Sequence, residues 1–156
     1  MRQCMNMFGA LAVLGLVIMC AVTPDAAIAQ TVSASDRAAL AGPWDGIWTG
    51  RGFRYQARMT LDVTASGAIE GAIEWTLLVS PRPNEAGKIG MKGTEFVRGR
   101  FDAAASVLNF EGYRKDDPNV VLGLDKYRLV VSDQRKTMGG ITSSGGAWNS
   151  KFYLSR

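Results

Sequence analysis

The sequence has no histidine, and its two cysteines, Cys4 and Cys20, both fall near its start. Beyond them no Ser–His or Cys–His nucleophilic pair can be assembled, and the commonest zinc ligand sets are excluded. No disulfide can staple the remainder, so it must be held by its core alone. A strong charge bias is also missing. The net charge of +4 is mild and spread along the chain, which fits solubility, and no basic tract of the kind nucleic acid requires is present. Internal repeats and low-complexity segments are absent.

One long hydrophobic run exists, from about Met7 to Val22. Arg2 precedes it, Pro24 and Asp25 break it, and Ala27-Ile28-Ala29 puts small residues where a signal peptidase reads. That order predicts a secretory signal over residues 1–29, cut before Gln30, and a mature protein that is periplasmic or secreted and free of the membrane. Two rivals stay open. The run approaches the ~17 residues of an uncleaved membrane anchor. Leu16 to Cys20 resembles a lipoprotein box, with Met19 where a small residue is wanted. Removing Arg2 and Asp25 takes one charge of each sign and leaves +4. About 127 residues remain, enough to bury roughly two-thirds of their unfolded surface.

Residues 30–44 are expected to form an arm with one short helix. Ser33 or Ser35 can cap it, Asp36 adds favourable charge in its first turn, and Gly42 and Pro43 stop it. At six or seven residues it needs the domain for support.

From Asp45 onward the period is two. Tyr55, Ala57, Met59, Leu61 and Val63 share one face, against Arg54, Gln56, Arg58, Thr60 and Asp62 on the other. Ile69, Ile73, Trp75, Leu77 and Val79 repeat the pattern, then Val97 with Phe101, Leu108 with Phe110, and Tyr127 with Leu129 and Val131. Trp148, Phe152 and Leu154 end it. Such alternation is that of strands with one dry face. With Gly46–Gly52 as the opening strand there are about eight, mostly joined by short turns containing Gly, Ser or Asp. The fold class predicted is all-β: an eight-stranded antiparallel up-and-down barrel over residues 45–156, with a short N-terminal helical turn. Two links are long, residues 80–93 and 114–121. In a meander they fall on one rim, where function tends to sit.

Chemistry is thinly supplied. Glu70 and Glu74 lie four apart on a wet face, where ion pairs with Arg98 and Arg100 of the next strand are the simpler expectation. Asp116, Asp117 and Asn119 lack the ligand spacing of a calcium loop and read as turn residues beside Pro118. Gly50-Arg51-Gly52 has no helix after it and is not a phosphate cradle. No catalytic residue, metal ligand or cofactor site is assigned. Were the protein an enzyme, acidic residues near the long-loop rim, Glu95 and Glu111, would be the ones to test.

Gly46-Ile47-Trp48, just after the helical arm, resembles the opening of strand one in lipocalins and the wider calycin superfamily, including avidin-like barrels. The resemblance implies that a basic residue of the last strand packs over the tryptophan, and Arg156 is in phase to do so with Trp48. It also implies a ligand inside the barrel. The inward set Tyr55, Met59, Trp75, Phe101, Phe110, Tyr127, Trp148 and Phe152 would then line the site. With almost no inward charge, that lining suits a small hydrophobic or aromatic ligand. Equally, the rings could fill the interior. The alternative function is an inhibitor or interaction module with a protein partner. The sequence is also similar to small secreted bacterial protease inhibitors, which project an N-terminal arm from an eight-stranded barrel. Here residues 30–41 would be that arm, helped by the long rim loops.

Overall fold

The computed structural model describes residues 31–156, so the expected signal over residues 1–29, and Gln30, lie outside the described residues. Helix α1, Ala34–Leu40, starts on a Ser33 hydroxyl that accepts from the Asp36 amide at 3.0 Å. Strands β1 (Gly42–Gly50), β2 (Phe53–Val63), β3 (Ala68–Val79) and β4 (Lys92–Asp102) follow. Then come β5 (Val107–Asp116), β6 (Lys126–Val131), β7 (Thr137–Ser144) and β8 (Ala147–Ser155). All are antiparallel, and β8 returns to β1, closing the barrel in sequence order. Closure leaves no unpaired strand edge, which answers the exposure problem of a flat sheet. Strand β1 starts four residues before the expected Gly46 and so takes in Pro43 and Trp44. Pro43 is tolerated near the strand's start, before the pairing with β8 begins at Asp45.

The two ends differ. At the first, the hairpins β2–β3, β4–β5 and β6–β7 gather under α1. The Val32 amide donates to Ala65 O at 2.9 Å, and Arg135 reaches both Asp36 and Ser106 at 3.0–3.1 Å. Leu40, Leu61, Leu108, Leu129 and Leu154 are fully buried there. The arm is therefore a plug tied directly to the β2–β3 and β6–β7 hairpins and, through Arg135, to β4–β5, and its described part does not project.

At this end the barrel is also closed by a tryptophan, and it is Trp44. The Arg156 guanidinium stacks 3.9 Å from the Trp44 ring centre and donates to Leu40 O and Ala41 O at 3.3 and 2.9 Å. The Trp44 indole donates to Leu40 O at 3.0 Å. The expected pairing of Arg156 with Trp48 is thus corrected. Four residues at about 3.3 Å each carry Trp48 toward the opposite end. The Gly-x-Trp form occurs one step earlier, as Gly42-Pro43-Trp44.

The second end carries the long links. Residues 80–91, with a 3-10 turn at Pro83–Lys88, and residues 117–125 share its rim. All three interruptions of strand register also lie in this half. Leu78, Tyr113 and Asn149 are each the extra residue of a bulge. Bulges gather at barrel rims because they re-aim side chains and break the regular ladder. One consequence is a second correction. Trp148, expected inside, is 47% exposed on the outer wall, because the bulge at Asn149 reverses the phase between it and the inward run Ser150, Phe152 and Leu154. Val79, beyond the bulge at Leu78, is turned outward in the same way.

Candidate functional site: the hollow end of the barrel

Beneath the two long links is a cavity of about 340 Å³. Its size lies at the low end of small-molecule sites. Trp48, Phe53, Tyr55, Trp75 and Tyr127 supply most of the aromatic wall. Trp48 and Trp75 both meet Tyr55 edge-on, with ring centres 5.6 and 6.0 Å apart. Directly below, Phe152 packs against Trp75 and Tyr127, and Phe110 stacks on Tyr127 at 4.5 Å.

The roof is held by side chains that fold the loop onto itself. Asp117 accepts from the amides of Val121 and Leu122 at 2.9 and 2.8 Å, so the acidic stretch is turn chemistry. These bonds and the one from Lys115 hold its carboxyl below the usual range. The loop is fastened from both sides. Lys88 donates to Val120 O at 2.9 Å and the Tyr55 hydroxyl to Val121 O at 2.7 Å. Burial pushes Tyr55 up to about 12, so it stays a donor.

Unexpectedly, the floor is acidic. Glu95 is 1% exposed and reaches the cavity between β3 and β6. Its Oε2 accepts from Trp75 Nε1 at 3.0 Å and from the Tyr127 hydroxyl at 2.6 Å, and its Oε1 accepts from the Asp125 amide at 3.1 Å. Burial outweighs those three donors and raises Glu95 to about 7. Asp125 is nine-tenths buried beside it, raised as well by burial, and accepts from Thr142 Oγ1 at 3.3 Å. Thr142 in turn receives the Trp48 indole at 2.7 Å. An interior with almost no charge is therefore the wrong expectation. Strand phase carries the signal for the right one: Glu95 is in step with Val97 and Phe101, and Asp125 with Tyr127 and Leu129.

Of the eight residues expected to line a ligand, three reach this cavity: Tyr55, Trp75 and Tyr127. Met59, Phe101, Phe110 and Phe152 are buried in the packed interior below it, and Trp148 is outside. The question of a hollow or a filled barrel thus has a divided answer, filled at the plugged end and hollow at the rim. On the outer wall, Glu74 pairs with Lys92 at 2.9 Å and Arg98 with Glu111 at 3.6 Å. These replace the expected pairs of Glu70 and Glu74 with Arg98 and Arg100, and Glu111 is remote from the cavity chemistry. Among the described residues no group of three or more His, Cys, Asp or Glu could hold a metal ion.

These features define a closed eight-stranded up-and-down β-barrel, plugged at one end and aromatic-lined at the other. No family model and no curated protein matches the sequence. Among solved structures the chain is similar to two redesigned β-barrels, mFAP0 and mFAP1, each determined bound to DFHBI. The TM-scores are 0.53 and 0.54 at 12% and 14% identity, over 76% and 77% of this chain and 99% of each of those. At that identity the likeness concerns the fold.

Proposed function

We propose that the protein is an exported barrel of the calycin kind, periplasmic or secreted, that binds a small ligand with an aromatic or apolar body and is not an enzyme. The observation carrying this is the cavity itself. It is formed where the loops are longest and every bulge lies, and aromatic rings wall it without filling it. Two further facts support the reading. Small molecules occupy redesigned barrels of similar fold. The Trp44–Arg156 stack under a short helix has the form that the calycin resemblance implies. The inhibitor reading is weaker, because the described arm is engaged in plugging its own barrel.

The test is uptake of the neutral fluorescent probe N-phenyl-1-naphthylamine. One saturable site is expected per folded chain, abolished by Ser144→Trp at the cavity mouth while the unfolding midpoint is kept. Uptake that is absent, or unaffected by that substitution, would overturn the proposal.

A further inference from the structure

The cavity's polar groups are lopsided in kind. Glu95 and Asp125, at its floor, belong to none of the salt bridges among the described residues. The nearest cations are committed at the mouth. Arg51 donates to Ser144 O at 3.2 Å, and Arg82 is held by Glu85 at 3.0 Å and lies over the Phe53 ring. No lysine lines the cavity. A buried carboxylate without a counter-ion is among the costliest groups a fold can carry.

Yet Glu95 is built in. Three donors orient it, and the backbone beside it is shaped to receive it. A Cβ at Gly112 would collide with Glu95 Oε1, and the next residue, Tyr113, is the extra residue of the β5 bulge. A glycine and a bulge at one point both leave room for an inward carboxylate. The rings above add the second half of the chemistry, since indole and phenol faces attract cations, more so away from water. An anionic ligand would meet Glu85, Glu95 and Asp125 together. A neutral one would leave Glu95 with no opposite charge and Asp125 with only that of Arg51 at the mouth.

We propose that the cavity receives an organic cation, a flat aromatic or apolar body carrying a protonated amine or amidinium, with its charged end on Glu95 and Asp125. This rests on the reading of the cavity as a ligand site and names the class of ligand. In the empty site a proton does what the ligand's charge later does, in keeping with the position of Glu95 near 7. The titratable groups facing Glu95 are Tyr127 and Asp125 on and before β6, and Tyr55 on β2, with Arg51, Arg82 and Glu85 at the mouth. The two tyrosines titrate far above neutrality. Between about pH 5.5 and 8.5 the proton on Glu95 therefore governs the competition.

Two compounds of one shape separate charge from fit: 4-aminobenzamidine, a cation, and 4-aminobenzamide, which is neutral. Calorimetry on the full-length protein at pH 8.5 should show the amidine binding at least about tenfold tighter, a difference of about 1.4 kcal/mol. The preference should shrink by roughly tenfold at pH 5.5, as Glu95 reclaims its proton. Glu95→Gln and Asp125→Asn should each cut it to about threefold or less, while Glu111→Gln on the outer wall leaves it intact. Should Glu95→Gln fail to fold, the pH series on the native chain and Asp125→Asn still decide. Equal affinity for the two compounds, with N-phenyl-1-naphthylamine taken up saturably, overturns the cation and leaves the cavity reading standing. Failure of all three probes to bind removes both.

Discussion

The plugged and hollow ends of this barrel are built from the same alternating strands and do opposite things. At the plug, Trp44, Leu40, Leu61 and Leu154 have no exposure, the register there runs without a bulge, and a seven-residue helix is fastened to the β6–β7 hairpin by Asp36 and Arg135. A helix that short is not stable alone, so the barrel and the plug hold each other. At the rim the register breaks three times, two carboxylates lie inside, and space remains. The lesson is a division of labour. Regular packing at one end supplies the stability that lets the other keep a void and buried charge, both of which cost free energy.

The sharpest way to break that comparison is to hollow the plugged end. Trp44→Ala removes a fully buried indole, its hydrogen bond to Leu40 O and the platform under Arg156. A loss of about 3–5 kcal/mol is expected, read from guanidinium unfolding monitored by far-ultraviolet dichroism. Emptying the other end should cost less, because Trp48 already borders a void. A Trp44→Ala loss below about 1.5 kcal/mol, or one smaller than that of Trp48→Ala, would mean that stability is not concentrated at the plug.

A medium effect, dependent on pH, tests the hollow end. Burial lifts Glu95 from 4.5 to about 7, so between those values the folded protein keeps a proton that the unfolded chain has released. Its contribution is full below about pH 4.5 and fades as pH rises through 7, by up to about 3 kcal/mol in total. Gln cannot ionise. In Glu95→Gln the stability curve should lose that fall, so the variant gains on its parent steadily from pH 5 to 8. Asp125, raised in the same direction, and Asp36 and Asp117, lowered, are common to both proteins. The difference between the two curves therefore reports Glu95 together with its coupling to Asp125. Parallel curves in urea titrations at pH 4.5, 6, 7.5 and 9 would show that this carboxyl is not where burial has pushed it.

How far the two ends could be foreseen differs for a physical reason. Period-two alternation reports which face of a strand is dry, and it does so well wherever the register is regular. Ala57, Met59, Leu61, Ile69 and Leu129 are all buried as their spacing requires. The meander and the shared rim of the long links follow from the same signal. What alternation does not report is where the first strand starts, so Trp44, in the expected arm, carries no sign that it and not Trp48 is the partner of Arg156. Nor does it register a bulge, which reverses the phase for every residue beyond it. Glu95 is a different case. Its phase with Val97 and Phe101 puts it inside, although a carboxylate there contradicts the rule that charges face water. Residues that break such a rule are where function is to be sought.

The smallest expected effect sharpens the same point. Trp148 and Phe152 are four apart on β8 and have equal claims to the interior by spacing. The bulge at Asn149 separates them, leaving Phe152 with 1% exposure and Trp148 with 47%. Phe152→Ala should therefore cost about 3–5 kcal/mol. Trp148→Ala, which deletes the larger side chain, should change stability by no more than about 0.5 kcal/mol. Collisional quenching by iodide gives an independent reading, since Trp148 should be reached far more readily than Trp44, Trp48 or Trp75. A Trp148→Ala loss above about 2 kcal/mol, or loss of probe binding in that variant, would return Trp148 to the interior. The bulge at Asn149 would then be in the wrong place, and with it the outward turn of β8 at the cavity mouth.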